Sequence, residues 1–252
     1  MMYLSDEIRG LIESGAVFYC SHSGGKDSQA MYVRLREVIP ANQLVVVHAN
    51  LGEVEWPGVM DHIRKFVIHP MEIVRANKTF LGMAEARGMW PSAKFRQCTS
   101  DLKRGPIFKF IRNDLKDRGA TIAVNCMGLR AAESASRAKR EPLRYNIQES
   151  VNGRVVRHVW DWLPVFDLTT EDVFREIKEA GEEPFWAYAD GNERLSCVFC
   201  IMGSINDLRH GAICNPDLYR RYVELERKIG HTMFMKGKES ISLEDHVGIK
   251  ID

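Results

Sequence analysis

Apolar residues recur along this chain in two rhythms, and the first 130 residues alternate between them. Short runs rich in β-branched and aromatic residues, at Ala16–Cys20, Gln43–Ala49, Met71–Val74 and Thr121–Met127, have the length and composition of strands. The second, Leu44-Val45-Val46-Val47, is too apolar for an edge and predicts a central parallel strand buried on both faces. Between these runs the apolar positions fall at helical spacing. Ser5 is placed to cap a first helix over Glu7–Ile12. Further helices are predicted over Gln29–Val38, with Ala30, Met31, Val33 and Leu35 inward, over Trp56–Phe66, and over residues 106–118. Strands alternating with helices predict an α/β fold, a doubly wound parallel sheet with helices on both faces. Ligands on such sheets sit at the carboxyl ends of the strands. The loop starting at Ser23, Asn50-Leu51-Gly52 and Gly128-Leu129-Arg130 all fall there.

The rhythm changes after residue 140. Leu143–Trp160 reads as a hairpin turning at Asn152-Gly153. Thr169, Thr170, Glu171 and Asp172 form a capped start for a helix over Val173–Ala180. Residues 181–214 read as loop-rich, with Phe185, Trp186 and Tyr188, and a last helix fits Asp217–Ile229. The polar tail from Lys236 is expected to be poorly ordered. This divides the chain into an α/β domain over 1–180 and a loop-rich, cysteine-containing extension over 181–252, expected to pack on the same domain.

At 252 residues, 45% hydrophobic and 27% charged, the composition is ordinary for a globular protein. A formal net charge of +1 means that any basic site is local. No stretch approaches the roughly 18 apolar residues of a membrane span. Met1–Gly15 carries Asp6, Glu7 and Glu13 and has no signal-peptide core, so a cytoplasmic location is expected. Six cysteines then read as thiols or metal ligands rather than disulfides.

Three groups of residues carry chemistry. The first is Ser23-Gly24-Gly25-Lys26-Asp27-Ser28, a glycine loop between a buried strand and a helix start. Glycines let backbone N–H groups approach an anion, the helix dipole attracts it, and Lys26 and the serines add a charge and two hydroxyls. An Asp between Lys and Ser, and no glycine four residues earlier, separate it from the Walker A loop. The second is the cysteines. Cys197-Val198-Phe199-Cys200 is a CxxC; Cys98 and Cys214 bring the thiols outside the strands to four, which suits zinc or an iron–sulfur cluster. A redox pair or plain packing explains a lone CxxC equally well. Cys20 and Cys126 lie in strands and read as small buried hydrophobes. The third is basic: Arg130, Arg137, Lys139 and Arg140 follow a strand end, and Arg87, Lys94, Arg96, Lys103, Arg104, Lys109 and Arg112 form a longer positive stretch. Arginine's planar fork suits phosphate, and a nucleic-acid backbone suits the stretch, although solvated loops and helices explain both. His22 and His48 stand near two strand ends, as site residues or as hydrogen-bonded structural histidines.

Ser-Gly-Gly-Lys-Asp-Ser resembles the PP-loop of the ATP pyrophosphatases and their phosphoadenylyl-sulfate (PAPS) reductase relatives, whose fold is of the adenine nucleotide alpha hydrolase type. Gly128-Leu129-Arg130 with Glu133, Ser134 and Arg137 resembles the superfamily's Gly-x-Arg…Glu-Ser…Arg segment, and Asn50-Leu51-Gly52 its Asp-x-Gly, with Asn in place of Asp. The resemblance implies nucleotide contacts at Ser23, Gly24, Gly25, Lys26, Asp27, Ser28, His48, Asn50, Gly128 and Arg130, with Lys26, Asp27, Arg130 and Arg137 catalytic. Asp27 would hold Mg²⁺ directly or through water. Reductases carrying a [4Fe–4S] cluster have Cys-Cys, then Lys-x-x-Pro, then a CxxC. Here Cys98, Lys103-Arg104-Gly105-Pro106 and Cys197/Cys200 match, and Thr99 stands at the second cysteine. Cys214 is the candidate fourth ligand; without it zinc, a three-cysteine cluster or an empty site remain. A reductase would carry a catalytic cysteine in its tail, and no cysteine follows Cys214. The resemblance therefore implies an ATP pyrophosphatase that adenylates an acceptor for sulfur incorporation. Its plan is similar to the reductase-like component of DNA phosphorothioation systems, whose partners include DNA, a cysteine desulfurase and other sulfur-modification subunits. A tRNA thiolation enzyme, a PAPS or adenylyl-sulfate reductase using an external thiol, and a non-catalytic nucleotide-sensing subunit are the alternatives.

Overall fold

The computed structural model describes residues 4–251, with Asn152, Arg154 and Lys238 excepted. Its strands are β1 Val17–Ser21, β2 Leu44–Ala49, β3 Met71–Val74, β4 Ile122–Met127, β5 Leu143–Tyr145, β6 His158–Trp162, β7 Phe234–Lys236 and β8 Glu239–Ile241. Its helices are α1 Asp6–Glu13, α2 Lys26–Val38, α3 Val59–Phe66, α4 Phe80–Arg87, the single turn α5 Gln97–Thr99, α6 Gly105–Arg118, the short α7 Ala135–Ala138, α8 Thr170–Glu179, α9 Ile205–Cys214, α10 Pro216–Ile229 and α11 Leu243–Val247. Among the described residues no helix is long and apolar enough to cross a membrane.

The chain gathers into two compact units: Met1–Ala49, Met60–Val74 and Ile107–Pro184 form the first, and Asn50–Val59, Arg75–Pro106 and Phe185–Asp252 the second. The last stretch of the second unit begins at Phe185. The second unit also takes in two earlier stretches that the hydrophobic pattern does not set apart.

In the first unit a six-stranded sheet runs β3-β2-β1-β4-β6-β5. All its neighbouring strands are parallel except the edge pair β5–β6, which realises the expected hairpin. Asn152 of the expected turn lies outside the described residues. Successive side chains of a strand point to opposite faces, and β1 shows why its run is apolar throughout. Phe18 and Cys20 pack with Met31, Leu35, Val173 and Ile177, whereas Val17 and Tyr19 pack with Phe108, Ile111 and Leu115. The sheet is thus covered on both faces, as a doubly wound fold requires. Cys20 and Cys126 are fully buried and level with each other in β1 and β4.

The second unit corrects two sequence expectations. The stretch read as loop-rich contains α9, capped by Ser204, whose hydroxyl accepts the Asp207 N–H. Gly211 within α9 depresses helix propensity, yet a Cβ there would sit 2.8 Å from Val198 Cγ1 and 3.2 Å from the Val198 carbonyl oxygen. The tail expected to be poorly ordered is instead structured. β7 and β8 pair antiparallel, and Leu243 and Val247 of α11 are fully buried. Buried Glu226 of α10 accepts the N–H groups of Met233 at 2.8 Å and Leu243 at 2.7 Å, so one carboxylate holds both ends of the hairpin. A polar tail with two anchors of this kind orders without a long apolar run.

Candidate functional site

The order β2-β1-β4 puts β1 where the chain reverses its direction of sheet growth, and the crevice beside such a strand is where open α/β sheets bind ligands. The glycine loop leaves β1 there. Gly24 has φ +79°, a left-handed conformation that favours glycine. Gly25 caps α2 with no side chain, so the first turn of a 13-residue helix meets the loop directly. Ser28 Oγ accepts the Ser23 N–H at 3.1 Å, lies 3.2 Å from Ser23 Oγ and donates to the Gly25 carbonyl at 2.8 Å, which closes the loop on itself. Lys26, 4% exposed, places its ammonium 3.7 Å from the Asp27 carboxylate.

The neighbouring strand end completes the loop. Gly128, just after β4, stands so close that a Cβ would fall 2.9 Å from the carbonyl carbon and oxygen of Asp27 and 3.0 Å from the Ser28 nitrogen. Only glycine permits that approach. Two residues on, Arg130 is buried with every arm engaged: Nε donates to Asp27 at 2.6 Å, one terminal nitrogen to the Leu168 carbonyl at 3.1 Å, the other to Thr170 Oγ at 3.2 Å. The Arg130 N–H donates to Glu133 at 3.0 Å, and Glu133 also pairs with the Arg137 guanidinium. The structure therefore brings Lys26, Asp27, Gly128 and Arg130 together, with Arg137 linked to them through Glu133. Arg130 clamps Asp27 rather than presenting a free fork.

Histidines brace the loop from below. His22 Nδ1 accepts the Gly24 N–H at 3.1 Å, and His48 Nδ1 donates to the His22 carbonyl at 2.9 Å. Burial, then the neighbouring His48 and His62, push the His22 pKa down to about 3, so it is a neutral acceptor. His62 Nε2 donates to Gln29 Oε1 at 3.2 Å, and Gln29 in turn donates to Glu182 at 2.9 Å and to the Glu183 carbonyl at 3.0 Å. The sequence places His22 and His48 near the site and Glu133 in the Gly-x-Arg…Glu-Ser…Arg segment; Gln29, Leu168 and Thr170 carry no motif that would have found them. Asn50, after β2, accepts the Gly52 N–H at 2.7 Å and shapes its own turn.

The second unit holds the thiols. Cys197 and Cys200 are hydrogen-bond partners. That bond, together with donation from Ser196 and the Met202 N–H at 3.5 Å, holds the Cys200 thiol below its ordinary range while Cys197 is pushed up. Burial raises the Cys98 thiol, against the opposing charge of Lys103. Cys98, Cys197 and Cys200 sense one another electrostatically; Cys214, exposed at the end of α9, senses Asp190. Among the described residues no group of three or more His, Cys, Asp or Glu side chains is disposed to hold a metal ion. The donor set as it stands does not fit the four-thiolate centre that the cysteine spacing suggests, and Cys214 is not brought to the other three.

Beside the thiols lies an aromatic stack. Phe199, inside the CxxC, meets Tyr222 with ring centroids 4.9 Å apart, and Tyr222 stacks on Trp90 at 5.3 Å. Tyr222 is fully buried, its hydroxyl has no hydrogen-bond partner, and the three thiols are among the groups that raise its pKa after burial itself. Tyr222 sits at an inward position of an amphipathic helix, where sequence alone reads it as core.

The sequence model of the family described as "Phosphoadenosine phosphosulfate reductase domain" matches residues 18–202. A protein of Escherichia phage 186, described as "Uncharacterized 37.8 kDa protein in gpa 5'region", is 28% identical over 161 residues, which make up 63% of this chain and 46% of that protein. The chain thus spans less than half the length of that relative. Among solved structures, the phosphate complex of PAPS reductase from Candida auris is similar at 12% identity and a TM-score of 0.46, over 78% of this chain and 97% of that one. The FMN adenylyltransferase of Candida glabrata is similar at 13% identity and a TM-score of 0.44, over 73% of this chain and 53% of that one.

Proposed function

The chain belongs to the phosphoadenosine phosphosulfate reductase domain family, and from that premise we propose that it is an ATP pyrophosphatase, cleaving ATP between its α- and β-phosphates. One observation carries the reading: a self-closed glycine loop, with a buried lysine on the first turn of a 13-residue helix, stands at the strand where the sheet reverses growth. That arrangement favours a polyanion over a neutral ligand. An acceptor oxygen attacks the α-phosphorus, a new P–O bond forms, and the bond to the bridging oxygen of the β-phosphate breaks. Pyrophosphate leaves with the electron pair. Lys26 and the N-terminal end of α2 stabilise the charge that develops on it. Asp27, held by Arg130, fixes the loop so that this field is in place before the reaction begins.

Mg²⁺ reaches such sites with the phosphates and needs few protein ligands. The Asp27 carboxylate fits that demand as the loop's acidic group, and the bound ion would offset phosphate charge. No step is assigned to an iron–sulfur cluster or to zinc, because the thiols do not fit one. The acceptor is read as a nucleic-acid backbone oxygen, DNA first, following the resemblance to the reductase-like component of DNA phosphorothioation systems. Adenylation for sulfur incorporation would then require a sulfur donor such as a cysteine desulfurase.

The test is to incubate the protein with α-³²P-labelled ATP and Mg²⁺, alone and with duplex DNA or transfer RNA. AMP, or an AMP-linked acceptor, with pyrophosphate in equal amount is expected. Formation of ADP and phosphate, or no turnover with either acceptor, would overturn the reading. Release of sulfite from PAPS with an external thiol would move the chain to the reductases after which its family is named.

A further inference from the structure

The thiol spacing suggests a metal centre, yet the described residues of the second unit do not assemble one. What it assembles is a close pair of sulfurs with donors around one of them. Cys197 is 9% exposed and its backbone pairs with Glu55; Cys200 is half-buried at the mouth of the turn. The turn is fixed: the Cys200 carbonyl accepts the Gly203 N–H at 2.8 Å, the Val198 N–H donates to the Val54 carbonyl at 2.8 Å, and Gly211 leaves no room for Val198 to retreat. The Cys200 sulfur receives the Met202 N–H at 3.5 Å. A second, independent observation points to a ligand there. The Tyr222 hydroxyl, fully buried against Phe199 of the same turn, is an O–H donor with no acceptor. A buried unpaired hydroxyl costs about 1–3 kcal/mol, and an incoming sulfur would supply the missing acceptor.

We propose that Cys197 and Cys200 form a thiol–disulfide exchange site whose ligand is an organic disulfide, with Cys200 the attacking sulfur, Cys197 the resolving one and Tyr222 the donor to the departing thiolate. The Cys200 thiolate attacks one sulfur of R–S–S–R, making a mixed disulfide and releasing RS⁻. The Cys197 thiol then gives up its proton to solvent and its thiolate attacks Cys200 Sγ, releasing the second RS⁻. Two electrons pass from the cysteine pair to the ligand, and the pair ends as a Cys197–Cys200 disulfide. CxxC turns suit this chemistry because the resolving sulfur is already adjacent.

The experiment uses the full chain, reduced, freed of reductant under anaerobic conditions and mixed with oxidised glutathione without nucleotide. Acid quenching, alkylation and peptide mass spectrometry then locate each sulfur, and exposed Cys214 serves as internal reference. Wild type is expected to gain an internal Cys197–Cys200 disulfide and to release two glutathione thiols per chain. Cys197→Ser should hold glutathione on Cys200 at about tenfold the Cys214 level, and Cys200→Ser should form neither product. Tyr222→Phe should keep or raise the melting temperature and slow the reaction about tenfold, the loss of one hydrogen bond to a charged sulfur. Absence of the internal disulfide from wild type, pairing of Cys197 with Cys98 instead, or one iron or zinc per chain blocking the thiols after anaerobic isolation would overturn the proposal. Because no nucleotide is present, these outcomes stand apart from those of the ATP assay.

Discussion

The two units treat their polar groups in opposite ways. In the first, the loop around Lys26 is held by closed pairs: Arg130 is engaged on every nitrogen, Glu133 takes both a backbone N–H and Arg137, and His22 accepts from Gly24. In the second, Trp90 Nε1, Gln97 Oε1 and Tyr222 Oη account for three of the four buried side-chain polar atoms without a partner among the described residues. A wired loop keeps its shape before any ligand arrives and loses little entropy on binding one. A site with open donors and acceptors is defined by what it lacks.

The sharpest way to break this contrast is to open one of the closed pairs. Asp27→Asn leaves a buried guanidinium without its counter-charge, and a loss of about 3–5 kcal/mol is expected in urea unfolding, together with loss of ATP binding. Arg130→Lys should recover little of either, because an ammonium cannot reach Asp27, Leu168 and Thr170 at once.

Next come two glycines that play matching parts. Gly128→Ala presses a methyl into the Asp27 backbone, and Gly211→Ala presses one into Val198, each at an expected cost of about 1–3 kcal/mol from overpacking. Isothermal titration with ATP and thiol mapping should separate them. Gly128→Ala weakens nucleotide binding and spares thiol exchange, and Gly211→Ala does the reverse. Equal damage to both readouts by either variant would erase the distinction between the units.

Acid sharpens the comparison further. His22 is neutral in the folded chain with its pKa lowered to about 3, whereas the unfolded chain takes up a proton near 6.5. Its contribution is complete above the unfolded value and is lost as pH falls from about 6.5 toward 3, amounting to about 2 kcal/mol by pH 5. Denaturation midpoints of wild type and His22→Asn, compared between pH 7 and pH 5, should converge by that amount.

The smallest effect is the most diagnostic. Tyr19→Phe removes a hydroxyl that donates to Asp114 at 2.8 Å and should cost about 1 kcal/mol. Tyr222→Phe removes an unpaired one and should be neutral or stabilising by a similar amount. Calorimetry on the pair reads the sign directly.

Much of the first unit is legible in sequence because its signals are local. Leu44–Val47 is buried on both faces and therefore apolar without interruption; Met71–Val74 is a strand with the bounds its pattern predicts. The glycine loop is contiguous, so its residues announce one another. The clamp is not contiguous: Leu168 offers Arg130 only a carbonyl, which every residue has, and Thr170 is 40 residues away. α9 and the tail were hidden for a different reason. Gly211 and the polar run after Lys236 look like helix breakers and a loose end until Val198 and Glu226 are seen against them. Cysteine spacing misleads in turn, since it reports which thiols exist and says nothing of the direction in which Cys214 points.

The level pairing of Cys20 with Cys126 in the middle of the sheet has a practical consequence. Both are free thiols sealed from solvent. A membrane-permeant maleimide can reach them only when the strands themselves separate, so their slow labelling keeps time for whole-sheet opening inside living cells. The same reagent strikes Cys214 at once. One chain thus carries both a clock for its own rarest motion and the zero mark against which to read it.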